Sequence, residues 1–79
     1  MATELTLIPL ELLSAGEEGR IHNLEGSPDF VHRLEEMGLR VGATVRMVQP
    51  GSPCILAIGH HRFSVRIDDT ATVLVETKA

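Results

Sequence analysis

Apolar and polar residues alternate along much of this chain, with one clear interruption. In "ATVRMVQ", Ala43, Val45 and Met47 fall on one side, and Thr44, Arg46 and Val48 on the other. That period of two is the pattern of a half-buried strand. "CILAIG" and "HRFSVRI" continue it. A two-residue type II′ turn at Gly59-His60 would set Ile58 against His61, Leu56 against Phe63 and Cys54 against Val65, all on one face. The other face then carries Ile55, Ala57, Arg62, Ser64 and Arg66. A slip by one residue would turn arginines inward, so the register is well specified. "TATVLVETK" alternates Ala71, Val73 and Val75 against Thr72, Leu74 and Glu76.

The interruption is "SPDFVHRLEEMG". Phe30, Val31, Leu34 and Met37 stand at i, i+1, i+4 and i+7, one stripe of a helix over about residues 28–37. Ser27 is placed as N-cap and Pro28 as first helical residue. Asp29 puts negative charge where the helix dipole favours it. Gly38 suits the left-handed position after the helix, where Leu39 can reach back to Leu34 in a Schellman motif. Gly42 then turns the chain into the next strand. Upstream, "LTLIPLELL" and "GRIHNL" read as strands, with Pro9 confining the first to an edge or a bend.

Frequent turn signals between short segments predict a mainly β fold. They include Gly16, Gly19, Gly38, Gly42 and Gly59, a type II turn centred on Pro50-Gly51, and a hairpin turn at Asp68-Asp69. The simplest closed arrangement is a small, partly open SH3-like barrel of five or six strands with one inserted helix. Residues 1–79 read as a single domain.

Composition narrows the function. Apolar residues are 43% and charged residues 23% of the chain, values of an ordinary soluble domain. The net charge is −4, without a Lys/Arg cluster, which argues against nucleic acid as a partner. Only two aromatic residues, Phe30 and Phe63, are present, too few for a base-stacking platform. No basic stretch precedes the apolar residues of "MATELTLIPLELL", and no run of about 20 apolar residues occurs. A cytoplasmic protein that does not itself span the membrane is expected.

Candidate chemistry is sparse. His60-His61 is the most suggestive pair for a transition metal, but a closed site wants about four ligands, and neighbours in a strand face opposite ways. His32 and Glu36 share a helix face at i, i+4. Cys54, the lone cysteine, falls on the core face and reads as a small hydrophobe. No G-x-S-x-G, P-loop or H-E-x-x-H pattern is present, so no catalytic residue is assigned and an enzyme is not expected. The helix end offers a surface instead. Leu34, Met37, Leu39 and Val41 are candidate partner-binding residues, since methionine repacks readily at binding surfaces.

"LSAGEEGRIHNLEG", the helix ending in "RLEEMGLRVGATVRMVQP", and "ILAIGHHRFSVRIDDTATVLVE" together resemble the FeoA family, small cytosolic proteins of bacterial ferrous iron uptake. The likeness rests on Gly16, Gly19 and Ile21, on Arg33-Leu34, Met37-Gly38-Leu39 and Gly42, on Gly59, Phe63, Val65 and Arg66, and on Val73 and Val75. It implies an SH3-like barrel and a role beside FeoB, the membrane iron transporter with a cytosolic GTPase region. On that reading the chain is an accessory interaction module that binds and modulates FeoB, at the inner face of the membrane through its partner. A similar domain ends the DtxR-type repressors, which implies the alternative: a sensor or carrier that binds Fe²⁺ or another transition metal weakly; the candidate ligands for it, His60 and His61, come from the residues alone and not from the resemblance. No helix-turn-helix lies within these residues, and no histidine or cysteine matches a shared metal-ligand motif.

Overall fold

A computed structural model describes residues 5–67 and 71–78. Six strands form one antiparallel sheet: β1 (Leu5–Pro9), β2 (Glu18–Glu25), β3 (Thr44–Gln49), β4 (Cys54–Ile58), β5 (His61–Val65) and β6 (Thr72–Lys78). One helix, α1 (Pro28–Glu36), separates β2 from β3. The sheet order is β1-β6-β2-β3-β4-β5. β2 pairs with β3 through residues 18–20 and with β6 through residues 20–25. Register shifts at His22 and at Val48 bend the strands where they occur. Six strands with one helix make the mainly β fold that the alternation predicts.

The helix begins as its sequence requires. Ser27 Oγ accepts the Phe30 N–H at 3.2 Å, and Pro28 opens the first turn. It ends in a complete Schellman motif. The Leu39 N–H donates to the Leu34 carbonyl at 2.9 Å, and the Gly38 N–H to the Glu35 carbonyl at 3.0 Å. Gly38 has φ +98°, and both leucines are buried, so the apolar contact that accompanies the motif lies inside the core.

The predicted faces of β3 and β6 hold, and β4 departs only at Ala57, which is buried although it lies on the face opposite Cys54 and Leu56. Val45, Met47, Leu56, Val73 and Val75 are fully buried, and the β4–β5 register is Cys54–Val65, Leu56–Phe63 and Ile58–His61. Phe30 and Phe63 are half-buried against this core. Three expectations change. The apolar run after β1 does not continue as a strand: a 3₁₀ turn, Leu10–Leu12, follows Pro9. Its tighter repeat brings Leu10 and Leu13 inside and leaves Leu12 exposed. Gly19 is no turn residue. It lies buried within β2 opposite Val45, and a Cβ there would stand 2.9 Å from Val75 Cβ and Cγ2, so glycine serves a close approach. Gly51 has φ +139°, far from the value of about 80° of a type II turn, and residues 50–53 form a bent loop instead. The Asp68-Asp69 turn lies outside the described residues.

Candidate functional site

Gly16, Gly38, Gly42 and Gly59 occupy turns with positive φ. The β4–β5 turn has positive φ at Gly59 and not at His60, as a type II′ turn needs. This hairpin displays His60 in the turn and His61 at the first position of β5, both exposed. Neither is gathered with other ligands: among the described residues no group of three or more His, Cys, Asp and Glu is placed to hold a metal ion. The other two histidines each meet a glutamate. His32 Nε2 is 2.6 Å from Glu36 Oε1 on the exposed face of α1. His22 Nδ1 is 2.9 Å from Glu76 Oε1, tying the β2 irregularity to β6.

Cys54 packs in the core, with its thiol against the Val65 carbonyl at 3.5 Å. Burial pushes the thiol above its ordinary value, against the opposing pull of a backbone hydrogen bond, and the negative charge of Glu11 adds to the rise. A thiol held protonated is neither a good nucleophile nor a good metal ligand.

The helix end divides the candidate partner-binding residues. Leu34 and Leu39 are sealed in the core and offer no contact area. This corrects their assignment as surface: the Schellman contact itself consumes both side chains. Met37 is half-buried, and Val41 is 67% exposed on the passage into β3. What remains for a partner on this passage is therefore Met37 and Val41.

A second feature sits beside them. Phe30, Arg33 and Leu34 of α1, with Met37 at its C-cap, border a groove of about 350 Å³ together with Ser64, Val65 and Arg66. Its floor is apolar and its charged side chains are arginines. On the outer face of the sheet, cross-strand pairing sets Glu18, Arg46, Ala57 and Arg62 in one row. Alternation along the hairpin marks Arg62 and Arg66 as outward-facing, but the apposition of α1 to β5 is a tertiary fact that no local pattern carries.

The geometry is a closed core, a helix-lined groove and exposed aliphatic side chains, without a convergent polar centre among the described residues. A family model described as the FeoA domain matches residues 8–77. The chain belongs to the FeoA family. It is also similar to the crystal structure of an iron uptake regulatory protein, FeoA, at 28% identity and TM-score 0.80, over 94% of this chain and all of that one. No curated protein matches it. The FeoA match takes in α1, its Schellman end, the β4–β5 hairpin and most of β6, and with them every candidate residue above. Among the described residues no helix is long and apolar enough to cross a membrane.

Proposed function

We propose that this FeoA-family chain is an accessory interaction module of ferrous iron uptake that docks on the cytosolic region of the membrane transporter FeoB and modulates transport from the cytoplasmic side. The observation that carries the reading is the FeoA family match across 8–77, nearly the whole domain. Surface chemistry agrees with it. A core this small is used up in holding the barrel and its helix, so function falls to side chains outside it. Val41 and Met37, on the helix-to-strand passage, are the aliphatic contacts such a docking would use.

Co-purification tests the reading. Immobilised wild-type protein should retain the purified cytosolic region of FeoB from the same organism. Met37→Asp and Val41→Asp should reduce retention while the far-UV spectrum stays unchanged. Leu39→Asp is no test, because a charge at a fully buried site would unfold the domain. Absence of retention in the nucleotide-free, GDP-bound and GTP-bound states alike would remove the docking role. Unchanged retention by both variants would move it to another surface.

A further inference from the structure

We infer that the free edge of β5, with the groove between β5 and α1, takes an extended peptide segment as an added strand, and that the segment it fits alternates acidic and aliphatic residues. β5 is the last strand of the sheet and, among the described residues, pairs with β4 alone. The two-residue turn makes Ile58–His61 a hydrogen-bonded pair, and pairing then alternates along the hairpin. Phe63 and Val65 therefore bond to β4, while Arg62 and Ser64 direct their N–H and C=O groups away from it, along an open edge. Unpaired edge groups beside an apolar groove are the arrangement that strand addition uses.

The pattern of the ligand follows from the two faces of β5. Phe63 and Val65 point inward, toward the same side as Phe30 of α1 and Met37 at its C-cap. Every second residue of an added strand would enter that side and should be aliphatic. Arg62 stands on the outer side, and Arg33 and Arg66 border the groove where it meets the C-terminal end of β5. Among the described residues none of the three has a carboxylate within salt-bridge distance, and no acidic side chain lines the groove. In a chain of net charge −4, the described residues of this edge are locally cationic. The intervening residues of the added strand should then be acidic, since opposite charges across a strand pair are favourable and like charges are not. The apolar wall favours a peptide over a nucleic acid, which would ask for stacking aromatics that the groove lacks.

The test uses fluorescein-labelled nine-residue peptides and the full chain, read by anisotropy and by amide hydrogen exchange. The probe alternates glutamate and valine; one control alternates lysine and valine, another glutamate and serine. The glutamate–valine peptide should bind at least about tenfold tighter than either control. Its affinity should fall as salt rises from about 0.05 to about 0.5 M. The Arg62 and Ser64 amides should gain protection. Arg62→Glu/Arg66→Glu should weaken the glutamate–valine peptide by about tenfold or more and improve the lysine–valine one. Ser64→Pro is the sharper variant. It removes an outward-facing N–H and leaves the bonds to β4 intact, so the domain should keep its melting temperature within a few degrees and lose the peptide. Equal affinity for the acidic and basic peptides would overturn the inference. So would unchanged binding by a folded Ser64→Pro variant, protection elsewhere than β5, or displacement of the peptide by a single-stranded oligonucleotide. The outcome is separable from the transporter reading: peptide binding without FeoB retention keeps this surface and removes that partner, and the converse removes this surface alone.

Discussion

Replacing Gly38 with alanine isolates the backbone cost of ending α1. Gly38 sits at φ +98° as the residue after the C-cap of the Schellman motif. An L side chain at positive φ costs about 1–2 kcal/mol. Space is not the issue, because the added Cβ would meet only Ile58 Cδ1, at an ordinary 3.7 Å. Alanine also restricts the unfolded chain, which offsets about 0.4–1 kcal/mol of the penalty. The net loss is then about 1 kcal/mol, or a melting temperature lower by roughly 4–8 °C for a domain of this size. A larger loss would mean that the chain escapes the strain by giving up the Leu39-to-Leu34 bond and part of the burial of Leu39. Urea unfolding followed at 222 nm measures the difference, with Gly38→Asn as the internal control, since asparagine tolerates this region better. The expected order of stability is glycine, asparagine, alanine. An alanine variant within about 0.3 kcal/mol of the wild type, or an asparagine variant as weak as alanine, would refute the argument that positive φ is what selects glycine here.

Gly19→Ala fails for the opposite reason: its backbone is unstrained but its Cβ would overlap Val75, so it should cost about 1–3 kcal/mol, and Val75→Ala in the same chain should recover only part of that because Val75 Cβ is itself 2.9 Å away. Double-mutant unfolding data that are simply additive would contradict this. Cys54 should make stability pH-dependent on the alkaline side. Its thiol stays protonated when folded beyond the ordinary value of 9.0, so the stabilisation is complete below that value and is lost as pH rises through the folded one. The wild type should therefore lose stability above pH 9 more steeply than Cys54→Ala, and parallel pH profiles would count against it. Anaerobic calorimetry with Fe²⁺ should give a dissociation constant weaker than about 0.1 mM, about 5.5 kcal/mol, since His60 and His61 find no further ligand near them among the described residues. Tighter binding that His60→Ala/His61→Ala abolishes would revive the sensor or carrier reading.

Much of the fold was legible because it is decided locally. The stop of α1 needs only Leu34, Gly38 and Leu39, all within six consecutive residues. The β4–β5 register is fixed by a two-residue turn, and its alternative would turn Arg62 and Arg66 inward. Reading failed where two local rules compete. Leu10, Leu12 and Leu13 satisfy a strand's alternation only in part, and the tighter repeat that follows Pro9 wins because it buries two of the three. Gly19 looks like punctuation beside Gly16, yet its cause is Val75, a residue on another strand. The His22–Glu76 contact joins residues 54 positions apart. No window of sequence contains it.

Net charge shows the same limit for function. A total of −4 is a sum, and a sum is blind to placement. Six of the seven basic residues are arginines, and the fold brings Arg33, Arg62 and Arg66 to one edge of an acidic chain. The total disfavours a polyphosphate backbone, which needs many cations spread along a track. It does not disfavour a short acidic strand, which needs only two or three cations set at the strand period beside an unpaired edge. The helix inserted between β2 and β3 makes that difference. It carries Arg33 and the half-buried Phe30, with Met37 at its C-cap, to a strand that lies some thirty residues later in the chain. Remove α1 from this position and β5 becomes a bare cationic edge with nothing to grip an aliphatic side chain, so peptide selectivity belongs to the helix as much as to the sheet.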